Sequence, residues 1–265
     1  MPPAPTQSAR PASRPVYLVP FGLLAGLALG VLFGWWNGQV TWVQPRSYDA
    51  PLSANAAAGL CLIGLAECLI GLRWRRTGLA VCLVATFVGL ATLLQFLLRV
   101  DLGIDDLLVN HRDLVAGPGV ARMPPALAVV ITLTGLLVAS LAVSKRGNRL
   151  TMLTGLLGSL VLGYAITGLL AYRNGLNFLP AWQAYARLGP HSAILLVLLG
   201  SGLIWLAARQ QTDNTGMGPR WLWLPVTICG ITVTLSFWVS LRERESAYLK
   251  STTQLSMDSV AALFS

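Results

Sequence analysis

Charge is scarce in this chain, and acidic charge is the scarcest. Only 11% of the residues are Asp, Glu, Lys or Arg, and 10 acids stand against 19 bases. A soluble domain carries about 25% charged residues. Because apolar residues make up 55% of the chain and come in long blocks, the composition excludes an ordinary soluble domain and predicts a lipid bilayer as the solvent.

Metal-binding, nucleophilic and nucleotide-binding patterns are missing as well. The cysteines, Cys61, Cys68, Cys82 and Cys229, all fall inside apolar blocks, so no disulfide framework is predicted. Neither histidine has a companion at metal-ligand spacing, so no metal site is predicted. No Walker loop, nucleophile elbow, zinc-protease helix or kinase motif occurs. Nothing in the sequence predicts catalysis by this chain or indicates a particular cofactor.

Seven apolar blocks are present, and each is close to the ~20 residues that cross a bilayer as a helix. The chain is therefore predicted to be an all-α integral membrane protein with seven transmembrane helices. The domain organisation follows: a disordered cytoplasmic segment (1–15), a membrane domain (16–241) and an extracytoplasmic helical extension (242–265). The predicted spans are 16–36, 54–72, 78–98, 126–144, 150–172, 191–208 and 221–241.

Alternate loops differ in charge, and this difference predicts the orientation. One set of loops holds ten bases and one acid, whereas the other holds nine bases and eight acids. The bases of the first set are concentrated in short turns at 73–76 and 145–149, which is typical of cytoplasmic loops. The N-terminus is predicted to be cytoplasmic and the C-terminus extracytoplasmic. Because the net charge of +9 is divided into clusters between apolar blocks, it suits a membrane surface rather than nucleic acid.

An internal repeat follows the first span. Three stretches that begin at Leu52, Met123 and Leu188 align without gaps on a glycine. Each enters the membrane from outside, and each is followed by an inside turn and another span. The fold is thus predicted as one lead helix plus three two-span units, with Asn55 and Ser192 as helix caps. The aligned glycines, which permit close helix packing, are Gly64, Gly135 and Gly200.

The lead helix carries its own glycine series. Three overlapping GxxxG steps place four glycines along one face and permit tight backbone contact. Packing within the chain and association of two copies into a homodimer both fit this pattern. The four residues are Gly22, Gly26, Gly30 and Gly34.

Three polar residues are candidates for ligand binding. Glu67 is the one acid within a span, and an ionisable group inside the membrane is a functional candidate by default. It is also placed to pair with Arg146 or Arg149. Gln95, near the outer end of the third span, and His191, at the start of the sixth, complete the set for a small-molecule or lipid ligand.

Four stretches resemble the N-terminal membrane regions of multidomain bacterial sensor proteins. They are Leu102-Gly-Ile-Asp-Asp-Leu-Leu, Arg122-Met-Pro-Pro-Ala-Leu, Gly200-Ser-Gly-Leu and Leu241-Arg-Glu-Arg-Glu. The chain departs from that pattern at Leu52, Ala54 and Leu127, and no functional residues are carried over.

In the group that the chain resembles, a multi-span module precedes a periplasmic CHASE-type domain, a further span, and cytoplasmic PAS, histidine kinase or diguanylate cyclase domains. The resemblance implies a sensor and anchor module in the bacterial inner membrane, with signalling domains continuing beyond residue 265. A transporter or channel subunit, with Glu67 and Gln95 along a pathway, is the alternative.

Overall fold

The described part of the chain is helical. A computed structural model describes residues 16–44, 51–100, 102–104, 108, 122–144, 148–173 and 188–215, together with isolated positions between 227 and 253. These residues contain no strand. After a short 3-10 turn at Val16–Leu18, the helices are α1 (Val19–Trp36), α2 (Val40–Val43), α3 (Ala54–Gly71), α4 (Arg75–Leu98), α5 (Pro125–Val143), α6 (Asn148–Arg173) and α7 (Pro190–Thr215).

Six helical segments are long and apolar enough to cross a bilayer, which confirms the prediction of an all-α membrane protein. They are Val16–Trp36, Ala54–Gly71, Arg75–Leu98, Pro125–Val143, Arg149–Leu170 and Pro190–Gln211. The seventh predicted span, 221–241, and the extension at 242–265 lie mostly outside the described residues, and the isolated positions described there are helical.

The three aligned stretches begin their helices at the same position. Ala54, Pro125 and Pro190 are the first residues of α3, α5 and α7, and the two prolines suit the first turn because their missing N–H has no helical partner there. At α3 the capping group is Ser53, whose side chain accepts a hydrogen bond from the Ala56 N–H at 3.3 Å. Asn55 does not cap α3 as predicted: it already lies inside the helix.

The Asn55 side chain connects α3 to the following loop. Its amide Nδ2 donates to the Ile104 carbonyl at 2.9 Å. Nearby, the Trp35 indole N–H donates to the Leu52 carbonyl at 2.8 Å. These two bonds satisfy buried polar groups and join the end of α1 and the Ile104 segment to the start of α3.

The repeated glycines lie where helices approach most closely. A Cβ at Gly64 of α3 would be 2.7 Å from the Phe21 carbonyl oxygen of α1, and one at Gly200 of α7 would be 2.7 Å from the Gly158 carbonyl oxygen of α6. At Gly135 of α5 it would meet the Thr86 hydroxyl of α4. Each glycine therefore packs on a long helix that precedes its own in the chain: Gly64 on α1, Gly135 on α4 and Gly200 on α6. The helices α3 and α4, which the predicted two-span unit groups together, also pack closely, since a Cβ at Gly78 of α4 would be 2.9 Å from the Ala66 carbonyl oxygen of α3.

The helix pairs share one apolar core. α1 packs against both α3 and α7, and α5 contacts α3 as well as α4. Fully buried aliphatic side chains fill the spaces between these helices, including Leu60, Ile63, Ile131, Leu196 and Leu199. The core therefore runs through the middle of the bundle, and buried hydroxyl groups within it, such as those of Thr86 and Thr132, donate to carbonyl oxygens of their own helices.

Candidate functional site

A cavity of about 770 Å³ lies at one end of the helical bundle. We call this the basic end, because Arg73, Arg75, Arg76 and Arg209 are located there. The polar side chains that line the cavity are Tyr17, Glu67, Arg75, Ser144, Arg209 and Gln210. The apolar part of its lining consists of Ile70, Leu141, Ala142, Val143 and Leu206.

The three repeat copies build the apolar wall of the cavity from one equivalent position. Ile70, Leu141 and Leu206 each follow an aligned glycine by six residues, and all three line the cavity. Two of the helices that carry these residues end here, α3 at Gly71 and α5 at Val143. The cavity therefore forms where the repeated helices converge at their carboxyl ends.

Glu67 stands where the other two copies have aliphatic side chains. It follows Gly64 by three residues, as Val138 follows Gly135 and Leu203 follows Gly200. Glu67, Val138 and Leu203 are 3%, 1% and 0% exposed, respectively. The equivalent position is thus a core position, and only the first copy places a carboxyl group there. Glu67 is also among the residues that line the cavity.

Glu67 is buried, and the other charged side chains that line the cavity are Arg75 and Arg209. The predicted pairing with Arg149 is not seen: Arg149 is exposed and does not line the cavity. Arg146 lies outside the described residues. Removing a charge from water costs several kcal/mol unless a partner offsets it, so the carboxyl group is either protonated or satisfied by a cation or a hydrogen-bond donor.

Two arginines line the cavity, and both are more exposed than Glu67. Arg75 begins α4 and is exposed. Arg209, near the end of α7, has its guanidinium carbon 4.1 Å from the centroid of the Tyr17 ring. Because a cation is attracted to an aromatic face, this contact orients Arg209 beside the start of α1. The site therefore has a buried carboxyl group below two bases.

Two further contacts anchor the wall of the cavity. The Gln210 side-chain oxygen accepts a hydrogen bond from the Thr151 hydroxyl at 3.3 Å, which joins α7 to α6. The Tyr17 hydroxyl lies close to Gly71, where a Cβ would be 2.8 Å from it. These contacts connect α7 to α6 and the start of the chain to the end of α3 at this end of the bundle.

The structure does not bring the three predicted candidates together. Gln95 is buried near the other end of α4, and twenty residues of helix separate it from Arg75 at a rise of about 1.5 Å each, or roughly 30 Å. His191 is the second residue of α7, also at the end opposite Arg209. Neither Gln95 nor His191 lines the cavity. Of the three, Glu67 is the one that belongs to this site.

Sequence reasoning missed Tyr17, Arg75, Arg209 and Gln210 as members of a site. The repeat contains a signal that finds part of it. Three residues after each aligned glycine, the alignment places Glu67 opposite two aliphatic residues. Six residues after each glycine, it places the three residues of the apolar wall at one position. No comparable signal marks Tyr17, because it precedes the first copy.

Metal and cysteine chemistry have little basis in the described residues. No group of three His, Cys, Asp or Glu side chains there is arranged to hold a metal ion. Cys61, Cys68 and Cys82 are free thiols, and Cys82 donates to the Gly135 carbonyl oxygen at 3.2 Å. This thiol therefore takes part in the contact between α4 and α5.

No protein-family model, curated protein or solved structure matches this chain. The chemistry of the cavity is therefore the basis for a functional proposal. A buried carboxyl group below two guanidinium groups can hold a polar ligand of mixed charge.

Proposed function

We propose that this chain is a membrane-embedded sensor and anchor module of a bacterial signal-transduction protein. It would couple an extracytoplasmic or lipid-borne signal to cytoplasmic output domains outside this chain. The observation that carries the proposal is the one-sided cavity: its lining comes from the basic end alone, which faces the cytoplasmic leaflet in the topology proposed below and therefore favours the lipid-borne form of the signal. The buried aliphatic residues of the core lie between this cavity and Gln95. A ligand can bind in such a site and alter helix packing without passing through.

The coupling would act through the helices that meet at the cavity. A ligand favours whichever arrangement of helices it binds more tightly, and small helix shifts are a common way of transmitting such a preference. The 3-10 turn before α1 contributes to the lining of the cavity, and so do the helices α3, α4, α5 and α7. Occupancy would therefore shift several helices together, and through them the seventh span and its extension.

The proposed topology has seven spans, a cytoplasmic N-terminus and an extracytoplasmic C-terminus in the bacterial inner membrane. Support comes from Arg75 and Arg209, which line the cavity, and from Arg73 and Arg76 beside Arg75, because bases favour the cytoplasmic side. Alkaline phosphatase fused after residue 265 should be active, and fused after residue 76 it should be inactive. The reverse pattern would contradict this orientation.

A graft into a sensor kinase tests the signalling role. Residues 1–265 would replace the multi-span N-terminal region of a bacterial sensor histidine kinase, and autophosphorylation would be measured in membranes. We expect Glu67→Leu to change the autophosphorylation rate and Arg76→Gln, outside the cavity lining, to leave it unchanged. Equal rates for the wild-type graft, Glu67→Leu and an unrelated membrane anchor would contradict a sensor role.

The alternative is a transporter or channel subunit. A buried carboxyl group that faces a cavity at one end also fits a transporter in a single facing state. Proton and Na⁺ flux would be measured in proteoliposomes for the wild type and for Glu67→Gln. We expect neither protein to exceed empty liposomes. Saturable flux that is lost in Glu67→Gln would favour transport over sensing.

A further inference from the structure

The acidic and basic side chains of the cavity differ in burial, and this difference indicates where a ligand would carry its charges. Glu67 is 3% exposed, whereas Arg75 is exposed and Arg209 is half-buried. Along α3, Glu67 lies four residues before Gly71, which places it about 6 Å below the helix end. A ligand that satisfies both levels carries a cation at its deep end and an anion at the mouth.

The deep level favours an organic cation. The carboxyl ends of α3 and α5 lie at the cavity, and helix carboxyl ends carry partial negative charge that adds to that of Glu67. A bare divalent ion needs several oxygen ligands, and Glu67 is the one carboxylate among the residues that line the cavity. An ammonium group is satisfied by one carboxylate and a few hydrogen-bond acceptors. The alkyl carbons of an organic cation that carries this group suit the apolar wall of Ile70, Leu141 and Leu206.

The mouth favours a phosphate. Two arginines from different helices lie there, and guanidinium groups match phosphate oxygens in geometry and charge. Arg209 is already oriented by its stacking on Tyr17, which lowers the entropy lost when an anion binds. Phosphates at this level are abundant because the helices end at the depth of lipid head groups.

We propose that the cavity binds an ethanolamine-phosphate group, with the ammonium held by Glu67 and the phosphate by Arg75 and Arg209. The group has two sources, the head group of phosphatidylethanolamine and a soluble ethanolamine phosphodiester. This inference deepens the proposed sensor function by naming the chemical class of the signal.

Two binding assays separate the sources. Purified full chain in detergent is titrated with glycerophosphoethanolamine, and full chain in nanodiscs is analysed by native mass spectrometry for retained lipid. The nanodiscs contain equal amounts of phosphatidylethanolamine and phosphatidylglycerol, which share a phosphate but differ in the amine. We expect preferential retention of phosphatidylethanolamine if the source is lipid, and saturable binding of the soluble probe if the source is soluble.

The variants assign the contacts. Glu67→Leu should weaken binding about tenfold to a hundredfold, the loss expected for a charged hydrogen bond, and should abolish the preference over phosphatidylglycerol. Arg75→Gln and Arg209→Gln should each weaken binding of both lipids by about tenfold or more. Arg76→Gln is the matched control, because Arg76 is on the same helix turn but does not line the cavity, and it should bind as the wild type does.

Folding of the key variant is checked independently. Because Val138 and Leu203 occupy the equivalent core position, Leu at position 67 should be accommodated, and without ligand its melting temperature should equal or exceed that of the wild type. A lower melting temperature would show that Glu67 has a partner within the protein, such as Arg146, and would overturn the proposal.

Other outcomes of these experiments also test the ligand assignment. Absence of binding in both assays, or equal binding by the wild type and Glu67→Leu, would overturn the ligand assignment. Binding that depends on Glu67 together with a kinase graft that does not respond to Glu67→Leu would support the assignment and contradict the sensor function instead.

Discussion

Two sets of helix glycines in this protein have opposite surroundings. On α1, which carries the GxxxG series, a Cβ added at Gly22 or Gly26 would have no described atom within 4 Å of it. On α3 and α7, Gly64 and Gly200 stand outside any GxxxG spacing, yet they lie against backbone atoms of a neighbouring helix. A glycine on a helix face therefore indicates only that close approach is allowed. Whether another helix packs against the glycine depends on how the chain folds.

Within the α1 series the two ends also differ. A Cβ at Gly34 would lie 2.6 Å from the Cβ of Trp42, and one at Gly30 would lie 3.4 Å from the Trp42 ring. The short helix α2 thus covers the later glycines. Gly22 and Gly26 remain on an exposed face beside Leu23 and Leu27, and they are the part of α1 open to a second copy or to lipid.

The largest expected effect is at Gly200. A Cβ there would be 2.7 Å from the Gly158 carbonyl oxygen and 2.8 Å from the Leu162 nitrogen, and backbone atoms cannot rotate away. Gly200→Ala should lower the free energy of unfolding by about 1–3 kcal/mol, measured by denaturation in mixed micelles. An unchanged stability would mean that α6 and α7 are not packed this closely in solution.

An intermediate effect is expected at Gly135, where the nearest atom belongs to the Thr86 side chain. Gly135→Ala should be destabilising, but by less than Gly200→Ala, because a side chain can be displaced. Removing that hydroxyl with Thr86→Ala should recover part of the loss. In a double-mutant cycle the two substitutions should show a coupling of about 0.5 kcal/mol or more. Additive effects would contradict the contact.

The smallest effect on stability is expected at Gly26. Because no described atom is near and Ala is the better helix former, Gly26→Ala should leave the free energy of unfolding unchanged or raise it slightly.

The exposed face of α1 at Gly22 and Gly26 also tests the homodimer hypothesis. Disulfide crosslinking of Cys substituted at Gly22 or Gly26 should give dimers if two copies associate there. Monomers at both positions would contradict that hypothesis, and Gly30→Cys is the control since Trp42 covers Gly30.

Helix positions were largely predictable, but helix ends were less so. The blocks predicted from hydropathy match six helices, and the prolines at 125 and 190 begin theirs as expected. The fourth helical element starts at Arg75 and the last described one ends at Thr215, beyond the predicted spans. The physical reason is that hydropathy marks where lipid begins, whereas a helix continues as long as its backbone hydrogen bonds are satisfied.

The candidate site was only partly predictable. Glu67 stands out in the sequence because an isolated ionisable group in an apolar block is costly. Gln95 and His191 are polar residues of the same kind, yet they lie at the opposite end of the bundle from the cavity. Arg209 and Tyr17 are far apart along the chain and meet through a stacking contact. Such convergence depends on helix packing, which no local pattern reports.

The sequence by itself determined that the chain is helical and membrane-embedded, and that Glu67 is its one acid inside a span. These properties depend on local composition and on the transfer of side chains and backbone groups into lipid. Tertiary structure alone decided which glycines are covered and which residues share a cavity with Glu67. Both depend on which helices become neighbours, and in a bilayer that choice follows from side-chain shape and close packing, since hydrophobicity is nearly the same on every face.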